Sequence, residues 1–255
     1  MKAPRPAAMI EARDLTKRFG RAVAVDGISF EVPAGEIFAF LGPNGAGKTT
    51  TIRMLTTLLR PTSGTVIIDG MDANGRTNEV RKRIGIVFQE TTLDLTLTAW
   101  ETVDLHGLLY RIPRARRHDR TEMLLREFGL WERRAERVQH FSGGMKRRLE
   151  IARGLLHAPR VLFLDEPTLG LDPQSRNQLW TFVKLLNATE GVTVFLTTHH
   201  LDEADRVASR IAVIDRGRII AAASPEELKR STARDSLEEA FLLLTGVGIR
   251  EDSVA

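Results

Sequence analysis

The stretch Gly42-Pro43-Asn44-Gly45-Ala46-Gly47-Lys48-Thr49 decides the fold of this chain. Two glycines stand five residues apart, and a lysine and a hydroxyl residue follow the second one. Such glycines let successive backbone N–H groups converge on phosphate oxygens, and the N-terminus of the following helix adds positive potential. We expect Lys48 to neutralise phosphate charge and Thr49 to bind Mg²⁺ between the phosphates, with Thr50 also in the nucleotide-binding set.

Short apolar runs alternate with helical segments on both sides of this loop. The runs that we predict to be buried strands are residues 37–41, 66–68, 84–88, 161–164, 192–196 and 211–214. The predicted helices are residues 47–59, 78–83 and 173–187. This alternation predicts an α/β domain in which helices cover both faces of a mainly parallel sheet.

Residues 97–158 interrupt the alternation because they contain no good strand candidate. Their pattern predicts three helices, separated near Pro113 and around residues 129–141. We therefore expect a helical insertion over about residues 91–158. Further on, Ser224 precedes Pro225 and two glutamates, the pattern of a helix N-cap and an acidic first turn. We therefore expect a main domain over residues 9–223 and a small helical tail over residues 224–255.

Composition excludes several classes of protein. The 255 residues include no cysteine, which excludes disulfides, thiolate metal sites, iron–sulfur clusters and cysteine nucleophiles. No apolar run approaches the roughly 20 residues that a membrane-spanning helix needs, and residues 1–10 lack the apolar stretch of an export signal. A membrane role would therefore require a partner. The net charge of +4 is compatible with binding to nucleic acid, to an anionic membrane face or to a nucleotide, and it does not distinguish among these partners.

A second chemical motif is the pair Asp165-Glu166, which follows the apolar run 161–164. Ligands of open α/β sheets bind at the carboxyl ends of the strands, so both carboxylates are expected near the phosphate loop. Neighbouring side chains on a strand point in different directions and can therefore hold different roles. We expect Asp165 to bind Mg²⁺, usually through water, and Glu166 to act as the general base on the attacking water.

Four motifs in a fixed order carry a resemblance to a known family. The phosphate loop is followed by Phe141-Ser142-Gly143-Gly144-Met145, then Asp165-Glu166, then His199, and this order resembles the ATP-binding subunits of ABC transporters over about residues 9–218. The resemblance implies a P-loop NTPase with an antiparallel N-terminal β part. It also implies a head-to-tail dimer with a second copy or a close paralogue, in which ATP lies between one phosphate loop and the Ser142, Gly143 and Gly144 of the other subunit.

The signature has a variant form, with Phe141 and Met145 where the commonest family pattern has leucine and glutamine. Residues 142–149 and 237–242 are similar to the drug-exporting branch typified by daunorubicin-resistance ATPases. This similarity favours export over import of drug-like or other hydrophobic compounds.

The same resemblance implies roles for four further residues. Gln89 would contact Mg²⁺ or the attacking water, and His199 would donate to the γ-phosphate and hold the water. Phe19 matches the aromatic on which adenine stacks, with a core phenylalanine as the alternative. Asp172 matches a loop that crosses the dimer interface, and it can also cap the helix that begins at Pro173.

Three functions are compatible with these motifs. The first is a motor that closes around ATP and drives an integral membrane permease subunit from the cytoplasmic side of the membrane. The second is an ABC-type ATPase that acts on ribosomes, DNA or cluster assembly, and the third is a non-hydrolytic regulatory module. A single ATPase domain without long coiled coils argues against the second, and an intact Glu166 argues against the third. We therefore expect a permease partner and no nucleic acid.

The start of the insertion offers a candidate contact with the permease. Leu93, Leu95, Leu97 and Trp100 put apolar side chains into a segment that otherwise reads as a polar loop. They either pack inside the insertion or form a groove wall that receives a short helix of the membrane subunit, with Gln89 linking that groove to the nucleotide.

Overall fold

Residues 8–246 are described by the structure, a computed structural model, and they form two β-sheets with helices between and around them. The strands are β1 (Ala8–Phe19), β2 (Ala22–Pro33), β3 (Ile37–Leu41), β4 (Ser63–Ile68), β5 (Met71–Asp72), β6 (Ile84–Val87), β7 (Val161–Asp165), β8 (Thr193–Thr198), β9 (Arg210–Asp215) and β10 (Arg218–Ala223). The helices are α1 (Lys48–Leu55), α2 (Thr77–Arg81), α3 (Ala99–Leu109), α4 (Arg114–Glu127), α5 (Gly143–Leu155), α6 (Pro173–Glu190), α7 (Leu201–Val207), α8 (Pro225–Thr232) and α9 (Leu237–Thr245). The last part of the predicted tail, residues 247–255, lies outside the described residues.

The larger sheet has six strands in the order β10-β9-β3-β8-β7-β6. Its strands run parallel except for β10, which pairs antiparallel with β9, so the prediction of a mainly parallel sheet is confirmed. In the register of this sheet Leu41 pairs with Thr198, and Asp165 pairs with Thr197. The carboxyl ends of β3, β7 and β8 therefore meet at one edge, where open α/β sheets bind their ligands.

The smaller sheet is antiparallel and has the order β2-β1-β4-β5. The predicted strand 66–68 belongs to β4 and hence to this sheet rather than to the parallel one. The long strands β1 and β2 do not stand out as apolar runs in the sequence, because charged residues such as Asp14 interrupt them. Register shifts, including one between Ala12 and Leu15, also break the alternation of apolar and polar residues. Phe30 of β2 stacks on Phe38 of β3 with ring centroids 5.7 Å apart, which joins the two sheets in one core.

The insertion contains the three predicted helices, α3, α4 and α5, with two short 3₁₀ turns between α4 and α5 (Trp131–Arg133 and Val138–His140). A capping box between Thr98 and Glu101 begins α3. In the tail, Ser224 and Glu227 form a second capping box before α8, as the sequence predicted for Ser224. The domain boundaries 9–223, 91–158 and 224–255 stay predictions. Among the described helices, none is both long and apolar enough to cross a bilayer.

Candidate nucleotide-binding site

The phosphate loop connects β3 to α1 in a conformation that only glycine allows. Gly47 caps α1 with φ of 108°, and a Cβ there would lie 2.5 Å from the Ala24 carbonyl oxygen. At Gly42 a Cβ would lie 2.3 Å from the carbonyl oxygen of Ile214 in β9. The ammonium of buried Lys48 donates to the carbonyl oxygens of Gly42 at 2.7 Å and Pro43 at 3.3 Å, which holds the cation over the loop. The donors and the cradle fit a chain of phosphates.

A cleft of about 350 Å³ opens above this loop. It brings together most of the predicted loop residues and the predicted catalytic side chains Gln89, Glu166 and His199. The lining residues are Ala24, Pro43, Asn44, Gly45, Gly47, Lys48, Thr49, Thr50, Gln89, Glu166, Leu169 and His199. Gly42 and Ala46 are buried in the loop beneath.

Glu166 and His199 form a pair across this cleft. The His199 Nδ1 lies 2.8 Å from the Glu166 Oε2, and the His199 backbone N–H donates to the same oxygen at 3.2 Å. With the proton on Nδ1 the ring donates to the carboxylate, so a neutral His199 presents Nε2 as an acceptor. Donation from Nε2 to a phosphate, as predicted from the family, therefore requires a doubly protonated ring in this arrangement. Glu166 also has a φ of +49°, which is uncommon outside glycine.

The predicted magnesium ligands lie in and under the cleft. Thr49 and Gln89 line it, whereas Asp165 is buried at the end of β7, where the Thr197 hydroxyl donates to its Oδ1 at 2.6 Å. Burial raises the pKa of Asp165, against the opposing effect of the Thr197 hydrogen bond. A hydroxyl, an amide and a carboxylate are oxygen donors of the kind that Mg²⁺ prefers, and together with phosphate oxygens and water they fit this ion. The three metal roles stay predictions.

Phe19 lies at the tip of the β1–β2 hairpin and is 51% exposed, which excludes the alternative of a core phenylalanine. It is not among the lining residues, but Ala24 of the same hairpin is, so the hairpin tip reaches the rim of the cleft. Sequence reasoning missed Ala24 and Leu169. In the sequence, these two residues are marked only by their closeness to predicted site residues. Ala24 lies in the segment after Phe19, and Leu169 follows Asp165-Glu166 by three residues.

The signature residues lie on a different surface from the cleft. Ser142 caps α5 by accepting from the Met145 N–H at 3.3 Å, and Ser142 and Gly143 are exposed. Asp172 caps α6 by accepting from the Ser175 N–H at 3.0 Å, which confirms the capping alternative for this residue. We call residues 142–144 together with Asp172 the signature surface; none of them lines the cleft of the described chain.

The candidate permease contact divides into core and surface residues. Leu93 is 8% exposed and packs in the hydrophobic core, so the groove prediction is wrong for this residue. Trp100 is partly buried, edge-on to Trp131, whereas Leu95 is 41% exposed. Helix α3 adds further exposed leucines, at positions 105, 108 and 109.

A phosphate loop at the carboxyl edge of a mainly parallel sheet, with an acidic strand end beside it, defines a P-loop NTPase. The family model for ABC transporters matches residues 25–169. The daunorubicin/doxorubicin resistance ATP-binding protein DrrA of Streptomyces peucetius is 47% identical over 91% of this chain and 70% of its own length. This chain therefore belongs to the ABC transporter family, as an ATP-binding subunit with ATPase activity.

Two further relatives extend the comparison. The Nod factor export ATP-binding protein I of Burkholderia lata is 44% identical over 89% of this chain and 74% of its own length. A solved dimeric ATP-binding cassette in a post-hydrolysis state, bound to ADP and Pi, superposes with a TM-score of 0.76 at 30% identity, covering 85% of this chain and 98% of that one. ATP-binding subunits of this family pair with membrane permeases and dimerise.

Proposed function

We propose that this protein hydrolyses Mg-ATP to drive the export of drug-like or other hydrophobic compounds through an integral membrane permease. The observation that carries the hydrolytic part is the Glu166–His199 pair, which faces the phosphate loop within one cleft. We place the protein at the cytoplasmic face of the membrane, bound to the permease, because ATP is supplied there and residues 8–246 contain no helix able to cross a bilayer.

The roles of the residues follow from their positions around the phosphates. Lys48 and the loop N–H groups bind the phosphates, and Phe19 stacks on the base from the hairpin tip. Glu166 accepts the proton of the attacking water, and His199 fixes the Glu166 carboxylate through two hydrogen bonds to Oε2. Mg²⁺, held by Thr49, Gln89 and Asp165, would neutralise phosphate charge.

The signature surface supplies the second half of each site. Ser142, Gly143 and Gly144 stand at the N-terminus of α5, where N–H groups and the helix dipole favour an anion. Because they lie outside the cleft of their own chain, we infer that they bind the ATP held by a second copy or by a close paralogue. The dimeric cassette with ADP and Pi supports this arrangement.

Export is supported by similarity to proteins that are named for daunorubicin/doxorubicin resistance and for Nod factor export. The resemblance of residues 142–149 and 237–242 to the drug-exporting branch favours the same direction of transport. Phe141 and Met145 are both buried in the hydrophobic core, so these two variant side chains contribute to packing.

The permease contact is best placed on Leu95 and the exposed leucines of α3. We expect Leu95→Asp to leave the purified chain folded and able to hydrolyse ATP, because this side chain is on the surface. The same variant should lose copurification with the permease, since a buried charge in an apolar contact is costly. Undiminished copurification would place the contact elsewhere, and loss of ATP hydrolysis in the isolated variant would show that Leu95 is structural.

The test of the hydrolytic role is Glu166→Gln, which keeps the shape of the side chain and removes the base. We expect normal ATP binding with turnover reduced about 10²- to 10⁴-fold. Wild-type protein should show hydrolysis only when Mg²⁺ is present. Glu90→Gln, an exposed carboxylate beside Gln89, is the matched control and should keep turnover. Retained turnover in Glu166→Gln would contradict the role of Glu166.

A further inference from the structure

Arg147 lies one turn beyond the signature residues on α5 and is 5% exposed. Its guanidinium donates to four backbone carbonyls from two separate segments. The Nε donates to the Pro167 oxygen at 2.8 Å, and Nη2 donates to the Glu166 oxygen at 3.1 Å. The Nη2 also donates to the Gln89 oxygen at 3.1 Å, and Nη1 donates to the Phe88 oxygen.

One of these carbonyls belongs to a strained residue. Glu166 adopts a φ of +49°, a left-handed conformation that is unfavourable for a residue with a side chain and persists only where the surrounding structure enforces it. Its N–H donates to the Thr197 carbonyl oxygen at 3.1 Å, and its carbonyl accepts from Arg147. These bonds hold the peptide groups on both sides of the Glu166 Cα, and so fix the direction in which the side chain leaves the backbone towards His199.

The same helix also holds the segment after Gln89. Glu150, 2% exposed and one turn beyond Arg147, accepts from the Thr92 N–H at 2.9 Å and from the Arg147 Nη1 at 3.0 Å. Arg153 donates to the Thr92 carbonyl oxygen at 3.1 Å. Helix α5 thus contacts the backbone on both sides of Gln89 and, through Arg147, the backbone of Glu166.

We propose that Arg147 is a positioning residue for ATP hydrolysis. It fixes the backbone of Glu166 relative to the backbone of Gln89 and connects both to α5, the helix that Ser142 caps. The proposal rests on the hydrolytic role proposed above for Glu166. A guanidinium has five N–H donors in a rigid plane, enough for the four backbone carbonyl oxygens and the Glu150 carboxylate. A lysine at position 147 would keep the positive charge but could not hold both segments in place.

Two variants separate positioning from packing. Arg147→Lys retains a cation beside Glu150. The double variant Arg147→Met/Glu150→Met removes both buried charges together, an exchange that is often neutral for stability. Arg148→Met is the matched control, because the neighbouring Arg148 donates to the Phe128 carbonyl oxygen at the end of α4.

In both Arg147 variants we expect kcat to fall about 10- to 100-fold, as a displaced general base loses its geometry, while KM and ATP affinity stay within about two-fold. Arg148→Met should keep wild-type kcat. In a Glu166→Gln background the Arg147 changes should cost less turnover than they do in the wild type, because one of the two residues through which they act is already lost.

Three results would overturn the proposal. These are wild-type kcat in both Arg147 variants, a parallel loss of ATP affinity or of the folded state in both, and a full additional loss in the Glu166→Gln background. If both Arg147 variants keep wild-type kcat while the Glu166→Gln variant is inactive, only the role of Arg147 is refuted. An active Glu166→Gln variant refutes the proposed hydrolytic mechanism itself.

Discussion

The nucleotide cleft and the signature surface both contain glycines and hydroxyl side chains, but they are built differently. In the cleft, the groups of one chain converge, with Glu166 and His199 in contact above the loop that holds Lys48. The signature surface presents Ser142 and Gly143 outward on a separate face. The cleft is therefore produced by the fold of one chain, whereas the role that we propose for the signature surface requires a second chain.

The glycines show the same difference in steric terms. Gly42 has no room for a side chain, because a Cβ would lie 2.3 Å from a backbone oxygen of the same chain. At Gly143 the nearest atom to an added Cβ would be the Leu171 Cδ2 at 4.0 Å, and its φ is not left-handed. The fold of this chain therefore requires glycine at position 42 but not at position 143, and the close approach to a partner's nucleotide that we propose would account for Gly143.

A change to the cleft is expected to have a larger effect than a change to the signature surface. Lys48→Ala removes a buried cation from the phosphates, and we expect ATP affinity to fall about 10- to 100-fold, the equivalent of losing hydrogen bonds to a charged group. Lys146→Ala, a lysine on α5 outside the cleft, is the matched control and should titrate like wild type. Equal ATP affinities for Lys48→Ala and wild type, measured by titration calorimetry, would argue against the assignment of the phosphate loop.

A smaller effect is expected when the signature surface is changed. Gly143→Ala should leave thermal unfolding and ATP binding by the monomer unchanged, because the position has space in its own chain. Turnover should fall about 10-fold, since an added methyl group prevents close approach to the partner's nucleotide and costs about 1.4 kcal/mol. Steady-state kinetics and a melting curve on the same preparation test this. Unchanged turnover would mean that residue 143 does not approach ATP.

The sequence predicted the cleft better than the surfaces around it. The glycine loop and Asp165-Glu166 are local patterns, and parallel strands bring their ends together, so the convergence of Lys48, Glu166 and His199 follows from chain order and topology. The strands β1 and β2 were harder to place, because bulges break their alternation. Leu93 and Leu95 are two residues apart in a loop, and only tertiary packing makes the first a core residue and the second a surface residue.

The central claim is that ATP joins two copies through the cleft of one and the signature surface of the other. The most direct test is the molar mass of Glu166→Gln by gel filtration with light scattering, with and without ATP. We expect a monomer without nucleotide, a dimer with ATP, and a monomer again when Ser142→Arg is added, because that change puts bulk at the contact. A molar mass that changes neither with ATP nor with the Ser142→Arg substitution would contradict this ATP-dependent dimer.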